Sequence, residues 1–223
     1  MDIITYLVTK DTNLFLYLNG LHSDFFDQFM FLFSEKLTWL PFYISLVYVF
    51  IRRWGKESIW IILAVSLCIA LADQISSGIL KEFVQRPRPS RESVLDGLVH
   101  IVSYRGGRYG FVSSHAANSI ALALFTSLLF KNRTYSIFVF LWAIVNCYSR
   151  IYLGVHYPLD LIGGCLVGLF SATVLYYLLL FFRQPIAVSI QRETKIIHRR
   201  QVLIPIVVLS LSVIIIALYS MFA

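Results

Sequence analysis

Charge is what this sequence has least of. Asp, Glu, Lys and Arg make up 14% of its 223 residues, against roughly a quarter in soluble domains. Hydrophobic residues make up 58%. That balance excludes an ordinary soluble globular domain and leaves no room for a soluble second one. Cysteine is scarce too. Cys68, Cys147 and Cys165 are odd in number and sit inside apolar runs, which excludes a disulfide framework and forms no C-x-x-C metal pattern. They read as packing residues. Internal repeats and low-complexity tracts are missing. A cleaved leader is not expected, because the first 35 residues lack a basic start and are interrupted by Asp2, Asp11, Asp24 and Asp27.

What is present in quantity is long apolar runs. Crossing about 30 Å of hydrocarbon takes around 20 residues, and residues 58–80, 135–153, 157–182 and 202–221 are long enough. Two weaker candidates are 37–51, preceded by Glu35 and Lys36, and 114–130, which carries Ser, Asn and Thr. The expectation is an all-α polytopic membrane helix bundle of about six transmembrane helices. The stretch "LFLYLNGLHSDFFDQFMFLF" mixes aromatics with His22, Asp24 and Asp27, which predicts an interfacial amphipathic helix in the headgroup zone, with a first span as the alternative. Residues 1–35 are thus read as an interfacial segment and 36–223 as one domain.

Basic clusters at 52–56, 131–133 and 192–200 fall on one face of a six-span chain, and an excess of Lys and Arg marks that face as cytoplasmic. The long segment 81–113 and the turn after Tyr152 then face outward. The net charge of +7 is read as contact with lipid headgroups and an anion site rather than with nucleic acid.

Three polar constellations stand out on that outer face. In "KEFVQRPRP", Pro87 and Pro89 hold the chain extended and present Arg88 beside Lys81, a planar fork and a point charge suited to phosphate oxygens; by itself such a cluster also suits a juxtamembrane anchor. In "GFVSSHAANS", Ser113, Ser114 and His115 open a hydrophobic helix, whose first N–H groups make an anion site and where His115 can supply a proton; the plain alternative is a helix cap. In "SRIYLGVHYPLD", Pro158 suits the first turn of a helix and Asp160 lies four residues from His156, within reach of the imidazole. A carboxylate on one ring nitrogen fixes the tautomer and leaves the other as a nucleophile. Arg150 adds a further cation, and a capping pair is again the alternative. Asp73, with Gln74, Ser76 and Ser77, is expected to face an interior partner, in a structural hydrogen bond or in a substrate role, and His100, Tyr104, Arg105 and Arg108 either select a headgroup or form a solvated loop.

Taken together the three resemble the type-2 phosphatidic acid phosphatase superfamily of membrane lipid phosphatases. The motif K-x6-R-P is met by Lys81, Arg88 and Pro89, and S-R-x5-H-x3-D by Ser149, Arg150, His156 and Asp160. The motif P-S-G-H stands here as "VSSH", matched at Ser113 and His115, with Val112 for proline and Ser114 for glycine. The resemblance runs from Lys81 to Asp160. It implies an enzyme that hydrolyses a lipid phosphomonoester or pyrophosphate, undecaprenyl pyrophosphate or a lipid A phosphate first, through a phosphohistidine and without metal or cofactor. In that reading His156 attacks phosphorus, Asp160 orients it and His115 protonates the leaving oxygen. Lys81, Arg88, Ser113, Ser114 and Arg150 hold the phosphate. The expected setting is a bacterial inner membrane with the site toward the periplasm, the lipid phosphate and the bilayer being the partners. A phosphotransferase using the same intermediate, or a non-catalytic transporter or scaffold, are the alternatives.

Overall fold

The computed structural model describes residues 2–192 and 196–222, with the side chains of 191–200 outside the described set; the charges of the basic run 192–200 therefore lie outside it too. Among the described residues the regular structure is helical, with no strand beyond one bridge between Pro87 and Tyr109. Two helices, α1 (Ile3–Asn19) and α2 (Asp24–Ser34), stand where the sequence suggested one. The break follows from capping. Ser23 accepts the N–H of Phe26, and Asp24 and Asp27 sit in the first turn of α2, where the helix dipole favours carboxylates.

Helix α3 (Leu40–Trp54) is followed by α4 (Ser58–Asp73), which runs through a π-helical stretch, Gln74–Leu80, into α5 (Lys81–Val84). Then come α6 (Ser114–Phe130), α7 (Arg133–Tyr152), α8 (Pro158–Phe182), α9 (Gln184–Arg192) and α10 (Ile196–Phe222). Among the described residues, four helical stretches are long and apolar enough to cross a membrane: Lys36–Val84, Arg133–Tyr152, Pro158–Phe182 and Gln201–Phe222. Ser114–Phe130 is apolar but shorter. The first stretch has 49 residues, about 75 Å if straight, more than twice the hydrocarbon thickness. It breaks at Gly55, whose φ is +54°, and α3 packs back on α4.

The centre of the bundle is α6, buried on most of its surface and packed most extensively on α8. Glycine makes this possible. A Cβ on Gly164 would overlap the carbonyl oxygen of Ser113, and one on Gly168 that of Ala117. Small residues at i and i+4 let two apolar helices touch along their backbones. The two helices run parallel, so their N-termini share one end, where the Ser113 N–H donates to the Asp160 carbonyl at 2.9 Å.

Segment 85–113 closes that end. Gly110 N–H donates to Arg86 O at 2.8 Å and Ser90 N–H to Gly154 O at 3.1 Å, tying it to the α7–α8 turn. All three cysteines are free.

Candidate active site

The C-terminal ends of α5 and α7 and the N-terminal ends of α6 and α8 deliver the three constellations to one place. At Lys81 the rod of α4 and α5 is in its last turns. Its ammonium donates to Ser77 Oγ at 3.2 Å and to Ser114 Oγ at 3.3 Å, so the serine found in place of glycine supplies a hydroxyl to this cation.

Arg88 is extended (φ −77°, ψ 154°), as a residue followed by proline should be. Its Nε donates to Tyr109 O at 3.1 Å, and its Nη1 lies 3.1 Å from both Val155 O and His156 Nε2. Nη2 has no protein acceptor among the described residues. Burial, and next the charge of Arg150, pushes this guanidinium down to about 10, still cationic near neutrality. Gly106 and Gly110 wrap around it. A Cβ at Gly106, where φ is +68°, would come within 2.9 Å of Arg88 Nη1, and one at Gly110 within 2.8 Å of Asp160 Oδ2. Both positions need the close backbone approach that glycine allows.

His156 is 1% exposed. Its Nδ1 lies 3.2 Å from Asp160 Oδ2, the same oxygen that accepts the Tyr157 N–H at 3.0 Å. With Nδ1 donating to the carboxylate, Nε2 keeps its lone pair and faces the Arg88 guanidinium. Burial first, then the charges of Arg88, Arg150 and Lys81, hold this imidazole well below its ordinary range. It is therefore neutral, the form that can attack.

His115 sits in the first turn of α6 within electrostatic reach of Arg150, His156, Lys36 and Arg88. It also lines a cavity of ≈ 520 Å³ between α3, α4, α6 and α7, which runs from Lys36 and His115 at the site to Phe50 and Ile62 deeper in the bundle. Ser113 is fully buried and spends its groups on structure, capping α6 at Ala116 N–H and donating its own N–H to Asp160. The first-turn N–H groups of Ser114 and His115 have no acceptor inside the helix. Arg150 does not present an open fork. Its Nη1 donates to Ser34 Oγ of α2, and its Nη2 to Tyr104 OH at 2.7 Å.

Several partners were not legible beforehand. Arg86, within the stretch "KEFVQRPRP", pairs with Asp160 Oδ1 at 3.2 Å and with Asp11 Oδ2 of α1 at 2.7 Å. Asn19 donates to the carbonyls of Ile151 and Tyr152, at the end of α7, and to that of His100. The signal that could have found Asp11 was an acid within an apolar helix, which seeks a buried partner. The outer residues are mostly engaged: His100 with Asp27, Tyr104 with Arg150, and Arg105 with Ser90 O. Ser77 meets Lys81, Ser76 donates to Ala72 O, and Asp73 acts on Lys81 through its charge. Among the described residues no group of three or more His, Cys, Asp or Glu could hold a metal ion.

A scan of family models matches the PAP2 superfamily over residues 60–184. The chain belongs to the PAP2 superfamily. Similar curated proteins include the lipid A 4'-phosphatase of Bacteroides thetaiotaomicron, 43% identical over 78% of this chain and 79% of that protein. The lipid A 4'-phosphatase of Porphyromonas gingivalis is 41% identical over 80% and 76%. Among solved structures, Aquifex aeolicus LpxE superposes with a TM-score of 0.59 at 25% identity, over 74% of this chain and 94% of that one. As a PAP2 protein the chain is an integral membrane enzyme that hydrolyses phosphate bonds of lipids, the activity its three motifs implied.

Proposed function

We propose that this enzyme removes a phosphate from a lipid A-type glycolipid through a phosphohistidine formed at His156, with the site open to the periplasmic side of a bacterial inner membrane. The observation that carries the chemistry is the alignment of Asp160, His156 and Arg88: carboxylate on Nδ1 at 3.2 Å, guanidinium on Nε2 at 3.1 Å. A phosphoryl group entering between Nε2 and Arg88 meets a neutral nucleophile on one side and cations on the other. The Nε2–P bond forms as the bond from phosphorus to the lipid oxygen breaks, and His115 gives that oxygen its proton. Lys81, Arg88 and the first-turn N–H groups of α6 neutralise the equatorial oxygens, where preorganised donors lower the barrier most. Arg150 contributes charge from its fixed position, and Ser113 holds the α6 turn. Water then attacks phosphorus, returns a proton to His115 and releases phosphate and free His156.

Lipid A is favoured as substrate by the two relatives that bear its name and align over about four-fifths of this chain. The apolar cavity beneath His115 suits an acyl chain whose phosphate lies at the surface. In this reading α3, α4 with α5, α6, α7, α8 and α10 are six crossings within a domain spanning 36–223, and residues 1–35 lie at the headgroups. Phosphate release by purified protein from lipid A, undecaprenyl pyrophosphate and phosphatidic acid, in EDTA, tests it. Lipid A is expected to be turned over best. Loss of turnover on chelation overturns the metal-free route, phosphate appearing on an added acceptor lipid points to a phosphotransferase, and a preference for undecaprenyl pyrophosphate overturns the substrate.

A further inference from the structure

We infer that Asp11 and Arg86 are positioning residues for the nucleophile, holding the carboxylate of Asp160 and through it the imidazole of His156. This rests on the reading of His156 as the attacking group. Asp11 is 4% exposed, although its helix turns Leu7, Val8 and Leu14 outward. One of its oxygens accepts the N–H of Leu159 at 2.9 Å, and the other forms the 2.7 Å ion pair with Arg86. Leu159 is the second residue of α8, and its N–H is one of those a helix leaves without an internal acceptor. So a residue 148 positions earlier caps the helix whose next residue is Asp160.

Arg86 is shared between two carboxylates. Its Nη1 reaches Asp160 Oδ1 at 3.2 Å, its Nη2 reaches Asp11, and its guanidinium lies 3.9 Å from the centre of the Tyr157 ring. That ring meets Phe15 of α1 at 5.3 Å, four residues beyond Asp11 on the same helix face. This aromatic contact and the Asn19 hydrogen bonds already dock α1, whereas a carboxylate buried in an apolar helix is costly unless paired. The charge has a use beyond docking. With Asp11 sharing Arg86, Asp160 keeps enough negative charge to hold His156 Nδ1. With Asp11 neutralised Arg86 is no longer held from both sides, and with Arg86 gone Asp160 Oδ1 loses its partner; either change lets the carboxylate turn and frees the imidazole to rotate or change tautomer.

The test uses the full-length enzyme in nanodiscs with Asp11→Asn, Asp11→Ala, Asp11→Glu, Arg86→Gln and the double variant Asp11→Asn with Arg86→Gln. Asp11→Asn keeps an oxygen for the Leu159 N–H and loses only charge. It should lower kcat by roughly tenfold while KM stays within about twofold, as expected of misplacement rather than lost binding. Asp11→Glu should recover part of the loss, and Asp11→Ala should lose thermal stability as well. The double variant should be no slower than Arg86→Gln alone, because both residues act through one contact. Nitrogen-15 spectra of histidine-labelled protein should show one His156 tautomer, protonated at Nδ1, and a mixture in Arg86→Gln. Wild-type kcat in Asp11→Asn, single effects that multiply in the double variant, or an unchanged tautomer in Arg86→Gln would each overturn the inference. If the wild type released no phosphate from any lipid, the proposed function would fail, while the spectra would still test the positioning.

Discussion

Arginines gather at both ends of this bundle, but the two ends are balanced differently. At the end away from the site, Arg183 forms a double-pronged pair with Glu57 at 2.6 and 2.7 Å and lies over Trp60 at 4.8 Å, each side chain about 30% exposed. Arg53 lies over Trp54 at 4.3 Å and Phe130 at 5.6 Å. Cation, acid and ring complete one another at Arg183 and Arg53, while Arg52, Lys56, Lys131 and Arg133 stay exposed at the same end. At the other end Lys81, Arg86, Arg88 and Arg150 gather around His156, opposed by Asp11, Asp160 and, at Lys81, Asp73. Three of those cations are held by hydroxyls, carbonyls or the imidazole itself. Cations at the far end are paired with an acid or a ring or left to solvent, whereas those around His156 are buried or half-buried and fixed largely by neutral acceptors.

The sharpest way to break this contrast is to remove one residue from each end. His156→Ala should reduce phosphate release by about 10⁴-fold or more, with the helical circular dichroism unchanged; retained turnover would remove the site from the catalytic role. Arg88→Gln should cost about 10²- to 10³-fold in kcat, while Arg183→Gln should leave kcat as it is. Equal losses from the two would dissolve the distinction. The α6–α8 contact should be nearly as sensitive as the cations. Gly164→Val forces apart the N-termini of both helices and should cost about 1–3 kcal/mol of stability, read as a lower midpoint of thermal unfolding in detergent, with a parallel fall in activity.

A smaller effect concerns pH. Below about 6.5, the ordinary value of an imidazole, the unfolded chain takes up a proton at His156 that the folded one refuses. The unfolded state then binds more protons, and stability of the ligand-free protein falls as pH is lowered through that value, by at most about 1.4 kcal/mol per unit. Asp11, whose carboxyl is raised chiefly by burial, contributes oppositely at lower pH, so the comparison with His156→Gln isolates the histidine. In that variant the slope between pH 6.5 and 5.5 should flatten. Smallest of all, Glu57→Gln should shift stability by no more than about 1 kcal/mol, since that pair is partly solvated.

Much of the architecture was legible because hydrophobicity is a local property. The apolar runs at 58–80, 135–153, 157–182 and 202–221 could be read directly, since 20 apolar residues have few alternatives to a helix in lipid. The spacing within "SRIYLGVHYPLD" likewise put Asp160 in reach of His156, because i and i+4 are neighbours across a helical turn. The break between α1 and α2 was less visible, since a capping serine competes with a run of aromatics on either side of it. Arg150 was read as a further cation for the phosphate, and its hydroxyl partners Ser34 and Tyr104 come from distant segments that no local spacing reports.

The sequence alone determined that this chain is a membrane helix bundle and that its three polar motifs lie at helix ends. Those facts follow from composition and from spacings of a few residues, where backbone geometry leaves little choice. Tertiary structure decided which cation meets which acceptor: that Arg88 faces His156, that Arg86 turns away to two carboxylates, and that Asp11 of the first helix caps the eighth. Such pairings depend on how parallel helices slide against one another, set here by Gly164 and Gly168, and no local rule of sequence reports a contact between residues 148 positions apart.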